Sequence, residues 1–423
     1  MTAHLAPLSF RRVLAPAVAA LVWVSGCKDD SNSVTAPEPS AAVATTTPLS
    51  FTAVSAGATH TCGITTSQLA YCWGDNGSGE LGTGTTIASS SKPVPVAGNL
   101  KFVQISAGVG FTCGITTNTF AYCWGSNSNG QLGVPFNSGP SNKPVAVDGA
   151  RRKFQQVRAG FNHTCARTPS GVGFCWGKNQ FGQLGANSTV ATSTTPLRVA
   201  GGLVFDRIVA GGHYSCGITT AHLAYCWGNN DDGALGDGTT TDRRMPVAVH
   251  GGLHFRTIVA GGGGFEDEQN ESPEPAHTCG VTTESKGYCW GWGGLGELGA
   301  GTIPTPQRTP LAVAGNRNWT QVIAGSLHTC GVTASNVAFC WGFNSEGQNG
   351  NGTTSPSNTP TRVSGNLLFA AVTTGTADSQ MSGIHSCGLT TAGRVYCWGL
   401  NEFGELGDGT TTRRLSPVAV VGP

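Results

Sequence analysis

The chain is short of charge. Only 11% of its 423 residues are Asp, Glu, Lys or Arg, and the 24 basic and 23 acidic residues nearly cancel. A nucleic-acid binder needs a basic face to displace counterions from phosphate. The adjacent arginines here, Arg151 with Arg152, Arg243 with Arg244 and Arg413 with Arg414, are scattered along the sequence and read as solvated surface. Helical patterning is missing too. Beyond the N-terminus no window repeats its apolar residues every 3.6 or so positions, and 63 glycines argue against helices. There is no G-x-S-x-G, no paired-ligand histidine motif and no phosphate-binding loop. His213, His222, His250 and His254 form no legible constellation. These absences set aside nucleic acid as a partner and leave an enzyme without visible machinery.

Repetition is what the chain has. Fourteen of its 15 cysteines fall into C-x9-C pairs. The pairs are Cys62 with Cys72, Cys113 with Cys123, Cys165 with Cys175, Cys216 with Cys226, Cys279 with Cys289, Cys330 with Cys340, and Cys387 with Cys397. Every second cysteine opens Cys-Trp-Gly. First cysteines recur at intervals of 51, 52, 51, 63, 51 and 57 residues, so the two long intervals are one period plus an insertion. Each copy runs in one order: an apolar alternating stretch such as FTAVSAG (51–57), then HTCGIT, AYCWG, a loop of the form N-x-x-G-x-L-G, and a Pro-Val-x-Val stretch. These are four short strand candidates, rich in Val, Ile, Thr and aromatics and bounded by Gly, Asn, Ser and Pro. One four-stranded blade cannot bury both faces alone, and radial repetition solves that. The expected fold is all-β, a seven-bladed β-propeller of four-stranded antiparallel blades over residues 50–423. Its frame permits closure by packing alone.

The A-G…H-T-C, Tyr71-Cys72-Trp73-Gly74-Asp75-Asn76 and Gly79-Glu80-Leu81-Gly82-Thr83-Gly84 motifs carry a resemblance. They are similar to the regulator-of-chromosome-condensation repeat, which implies a seven-bladed propeller. The activity best known in that family, nucleotide exchange on a small GTPase, needs a cytosolic or nuclear partner. The export features of the N-terminus disfavour it. One fold hosts many roles, so the resemblance speaks for fold more than for function.

Three readings of the cysteine pairs compete: a hairpin disulfide in each blade, zinc held by His-x-Cys…Cys, and a redox pair. If Cys62 sits opposite Cys72, then Gly63 faces Tyr71, and Cys62, Cys72 and His60 share one face while Tyr71 and Trp73 share the other. The small Gly63 would give the Tyr71 ring a place to rest, and both aromatics would pack toward the next blade. The histidine occurs as His60, His163, His277, His328 and His385, but Phe111 and Tyr214 replace it in two copies. A metal ligand is expected to persist, and a redox pair favours C-x-x-C at a helix start. The disulfide reading is favoured, with no metal and no cofactor expected.

Cys27 is left over. Residues 1–26 hold Arg11 and Arg12, then an apolar run of 12 from Val13 to Val24, too short to span a bilayer comfortably. Val24-Ser25-Gly26-Cys27 resembles the lipobox of bacterial lipoproteins, which implies cleavage before Cys27 and its lipidation; an ordinary signal peptide is the alternative. Residues 27–49 then form a lipidated cysteine and a tether rich in Ser, Thr, Ala and Pro. The mature chain would carry 22 basic and 23 acidic residues. Export fits disulfides, which belong in oxidising compartments. The expected location is the cell envelope, lipid-anchored on the periplasmic or cell-surface side, with the membrane met only through the anchor.

Seven copies of one residue answer seven identical packing problems, so function is expected where the copies differ. The fifth copy inserts about 12 residues holding Glu266, Asp267, Glu268, Glu271 and Glu274. Calcium is an alternative use of these carboxylates, but the D-x-D-x-D-G spacing is absent. The seventh copy inserts about six near Thr376–Ile384. Both insertions lie between the first and second strands. Trp292 and Trp319 are the propeller tryptophans outside the motif. Trp292 is a candidate anchor, and Trp319 is expected to fill the first-strand core position. The reading is a non-catalytic binding or scaffold propeller, probing a protein or glycan partner with the acidic loop and Trp292, and acting as a monomer. An enzyme with its site in the propeller funnel is the alternative.

Overall fold

The computed structural model describes residues 49–135, 138–262, 275–302, 306–376 and 384–423. Within them, twenty-eight strands form seven four-stranded antiparallel sheets, each made from consecutive strands. The first blade is β1 (Phe51–Ala56), β2 (His60–Thr65), β3 (Ala70–Asp75) and β4 (Ser89–Pro95), hydrogen-bonded in that order. The seven first strands touch one another in a closed circle, Phe51–Ala56 against both Phe102–Ala107 and Phe369–Thr374. The polar fourth strands lie outermost.

The register explains the repeat. Cys62 pairs with Cys72, Thr61 with Trp73 and Gly63 with Tyr71. The disulfide reading holds in every blade, and the zinc and redox readings fall with it. Cys62 is bonded to Cys72, Cys113 to Cys123, Cys165 to Cys175 and Cys216 to Cys226. Cys279 is bonded to Cys289, Cys330 to Cys340 and Cys387 to Cys397. The bonded Cα atoms lie 4.0–4.1 Å apart. Each bond staples the second strand of a blade to the third. Cys72, Cys123, Cys175, Cys226, Cys289, Cys340 and Cys397 are all fully buried, as are their partners.

The space beside Gly63 is taken by a different aromatic from the one expected. A Cβ there would meet the Phe51 ring of the first strand at 2.7 Å. Gly114 and Phe102 repeat this. The cross-strand partner fixes only Cα opposition; the bulge beside Phe51 swings its ring over the glycine.

Blade faces alternate in kind. The cysteine face of blade one packs Cys62, Ile64 and Cys72 against Phe102, Ile105 and Trp124 of blade two. The aromatic face therefore looks to the preceding blade, not the next. Strand alternation sorts side chains between two faces but does not say which neighbour each face meets. Each motif tryptophan is fully buried and reaches back for one carbonyl: Trp124 Nε1 donates to the Glu80 oxygen at 2.8 Å. The last glycine of G-x-L-G gives it a flat seat. Gly82 has φ +67°, and a Cβ on it would lie 2.6 Å from Trp124 Nε1.

The same contacts close the ring. Trp73 Nε1 and Thr61 Oγ1 both donate to the Glu405 carbonyl at 2.9 Å, and the Phe51 amide donates to the Gly393 oxygen at 2.8 Å. Phe51 and Trp73 share a core with Leu389, Val395, Leu406 and Val420. Among the described residues no strand crosses between the first and last blades. Trp319 is 1% exposed and heads its strand beside Trp341, as expected.

Candidate functional site

The repeated polar residues are spent on the scaffold. His60 Nε2 meets Thr112 Oγ1 of the next blade at 2.8 Å, and Thr112 gives its hydrogen to the Glu80 carbonyl at 2.9 Å. The histidine therefore donates from Nε2. Burial, with the neighbouring His385 second, pushes the His60 pKa down to about 3, so the ring is neutral. His163, His277 and His328 are held down to about 3 in the same way, burial first. Phe111 and Tyr214, both fully buried, fill the same slot in two blades. The loop asparagines are clamps: Asn76 Oδ1 accepts the Leu81 amide at 3.0 Å and its Nδ2 donates to the Ile87 carbonyl at 2.6 Å. Gly293 stands in that place in blade five. No group of three or more His, Cys, Asp or Glu that could hold a metal occurs among the described residues.

What varies lies on one face. The connection between the first and second strands and the loop after Cys-Trp-Gly sit together at the same end of every blade. One hydrogen bond ties them, as from the Asp75 amide to the Thr59 oxygen at 2.9 Å. The residue donating that bond changes character around the ring. It is Asp75, Ser126, Lys178 and Asn229 on blades one to four, then Trp292, Phe343 and Leu400 on blades five to seven. The accepting residue follows suit: Thr59, Gly110, Asn162 and His213, then Ala276, Leu327 and Ile384. Three residues further along each loop, blades one, two and four have Ser78, Asn129 and Asp232, blades five and seven have Leu295 and Phe403, and blade six has Glu346, paired with Arg413 at 3.1 Å. Leu295 is 40% exposed, and Trp292, Phe343 and Phe403 are half-buried. Phe181 breaks the polar half, but it stacks on His213 with centroids 5.2 Å apart. The first residue of the loop is thus polar over four blades and apolar over three, and at the later position Phe181 interrupts the polar sector and Glu346 the apolar one.

Trp292 lies in the apolar sector with its indole N–H buried and no partner among the described residues. Leu295, Phe343 and Phe403 join it, with Leu400 buried beside them in sequence; sequence reading missed them because they fall at the variable positions of a glycine-rich loop. Aligning the seven copies position by position would have found them. Glu266, Asp267, Glu268, Glu271 and Glu274 lie outside the described residues, as does Cys27. The flanks of the acidic insertion are placed: the Gly262 amide bonds to the Gly325 carbonyl at 2.9 Å, and the Ala276 amide to Asp232 Oδ2 at 3.0 Å. Both flanks belong to the divided face. So do Thr376 and Ile384, the flanks of the second insertion. No helix among the described residues is long and apolar enough to cross a membrane.

Known proteins share this architecture. The RCC1-like domain family matches residues 22–383, and the regulator of chromosome condensation (RCC1) repeat matches residues 385–405. The ultraviolet-B receptor UVR8 of Arabidopsis thaliana is 30% identical over 330 residues, which is 76% of this chain and 70% of the receptor. The human E3 ubiquitin-protein ligase HERC2 is 28% identical over 367 residues, 83% of this chain, and the chain spans only 7% of that ligase. Among solved structures, Prp20p of Saccharomyces cerevisiae superposes with a TM-score of 0.69 at 18% identity, covering 84% of this chain and 87% of Prp20p. Prp20p binds Gsp1p and histones.

Proposed function

The chain belongs to the RCC1-like domain family, and from that premise we propose that it is a non-catalytic recognition propeller. It binds a protein through the face that carries the loops after Cys-Trp-Gly. The observation that supports this most is the division of that face into polar and apolar sectors. Trp292, Leu295, Phe343 and Phe403 stay at least partly exposed on three successive blades, where blades one, two and four carry polar residues. Both sequence insertions depart from the same three-blade sector. The acidic one would steer a partner with basic charge toward the apolar contact. A glycan stacking on the half-buried ring of Trp292 is the second reading.

We further propose that residues 1–26 direct export and that Cys27 carries a lipid. Residues 27–49 then tether the propeller outside the cytoplasm. Seven disulfides support an oxidising compartment. Affinity capture with the protein lacking residues 263–274 tests the recognition role. The partner retained by the intact protein is expected to be lost. A partner held equally well by both would move the site off this face.

A further inference from the structure

The face opposite the divided one is made of the turns between second and third strands and the links between blades. Backbone hydrogen bonds run around it. Turn carbonyls accept the first amide of the next inner strand, as Gln68 from Phe102 and Gly393 from Phe51, both at 2.8 Å. The residue just ahead of an inner strand accepts from its own blade's turn: Lys101 from the Thr117 amide at 2.9 Å, Val204 from Thr220 at 3.2 Å and Leu368 from Thr391 at 3.0 Å. Turns and links thus form one closed rim.

That rim is basic. Lys101, Arg151, Arg152, Lys153, Lys286 and Arg394 stand on its turns and links, scattered in the sequence and gathered by the fold. Among the described residues no carboxylate forms an ion pair with any of them. Lys101 Nζ donates to the Ser67 carbonyl at 2.8 Å, Lys286 Nζ to Asn316 Oδ1 at 2.9 Å, and Arg152 lies 4.1 Å over the Phe174 ring. The acids on this face are Asp148, Glu284 and Asp206, and Asp206 already sits 3.8 Å from Arg207. On the divided face three arginines are answered instead: Arg243 by Asp237 at 2.9 Å, Arg413 by Glu346 at 3.1 Å and Arg414 by Asp408 at 2.7 Å.

Apolar side chains share the rim. Val103 is 56% exposed, Leu368 50% and Val204 47%, more than any other large hydrophobic among the described residues. The chain also enters the ring here. Ser50 is exposed and its carbonyl accepts the Thr66 amide at 3.0 Å, so the segment that includes Cys27 joins the propeller at this face.

We propose that this face docks onto an anionic lipid bilayer, which leaves the divided face pointing away from the membrane. Cations without carboxylate partners attract acidic headgroups, and Val103, Val204 and Leu368 reach toward the acyl boundary. Charge spread around a whole ring fits a planar partner. A nucleic-acid duplex would touch one side of the ring and gain nothing from the three apolar side chains. The membrane then meets the protein at this face as well as at an anchor. Docking of this kind is released by salt, so salt-resistant association remains the mark of a lipid on Cys27.

The test is flotation of the purified Cys27→Ser protein, which carries no lipid, with two kinds of vesicle. One is equal parts phosphatidylglycerol and phosphatidylcholine, the other phosphatidylcholine alone. Affinity for the first is expected to be at least about tenfold higher, and about 0.5 M salt should remove the difference. The triple variant Lys101→Glu, Lys153→Glu, Arg394→Glu is expected to lose that preference. Lys92→Glu, Lys143→Glu, Arg308→Glu makes the same change of charge on the outermost strands and should keep it. Should the first triple variant not fold, Val204→Ser with Leu368→Ser reads the same face by several-fold weaker binding to the anionic vesicles. No preference for anionic vesicles, or equal loss in the two triple variants, overturns the proposal. A DNA duplex bound through the same residues, with vesicles unbound, would assign the face to nucleic acid and overturn it too.

Discussion

Glu80, Glu297 and Glu405 stand where other blades carry Gln131, Gln183 and Gln348. Acid and amide make the same bond: Glu405 Oε2 accepts the Phe403 amide at 2.9 Å, and Gln183 Oε1 accepts Phe181 at 3.0 Å. Burial above all raises Glu297 and Glu405 to about 7, with Asp232 and Glu402 adding negative charge nearby. A carboxyl raised from 4.5 in this way favours the fold below 4.5 and loses that contribution as pH climbs through 7. Glu405→Gln is therefore expected to leave stability nearly unchanged at pH 4. At pH 9 it should gain about 1–3 kcal/mol over wild type, read from urea midpoints at both values. Equal gains at the two pH values would contradict this. At this scale the sequence was legible where a residue repeats. Cys62 and Trp319 are where spacing put them. Leu295 and Phe403 were not, because they fall at positions of the loop that vary from copy to copy.

At the scale of the element, the unit is the hairpin of Ala70–Asp75 on His60–Thr65 and its six equivalents. Its disulfide closes a loop of about 11 residues, worth at most about 2–3 kcal/mol by chain entropy because the turn already restrains that loop. Replacing Cys330 and Cys340 together by alanine is expected to cost about that much in a denaturant titration, with the far-UV spectrum unchanged. No loss would assign the blade's stability wholly to Trp341 and its neighbours. Four strands per repeat and the cysteine register were readable from alternation and turn residues. The direction of stacking was not. The tryptophan face meets the preceding blade because the Glu80 carbonyl and the Gly82 seat lie one blade back, a relation that no single repeat contains.

At the scale of the whole molecule, the ring closes through Trp73, Thr61 and Phe51 onto Glu405 and Gly393, and no strand is exchanged among the described residues. Among the described residues, none ahead of Phe51 supplies a strand to the last blade. If Cys27 carries the proposed lipid, Cys27→Ser is expected to move the protein from the membrane to the soluble fraction at high salt. Persistent membrane association would contradict lipidation. The division of one face into polar and apolar sectors is also a property of the whole ring. It could not be read from any one copy, since Trp292, Phe343 and Leu400 lie about fifty residues apart in sequence.

If recognition sits where the blades differ, partner capture by two double variants of matched chemistry is the most direct measurement of it. One is Leu295→Asp with Phe403→Asp on the apolar sector. The other is Ser78→Asp with Asn129→Asp at the same loop position on the polar sector. The first pair is expected to abolish capture and the second to leave it intact, with both proteins folded. Capture that survives the first pair, or fails equally in both, would contradict recognition by the apolar sector.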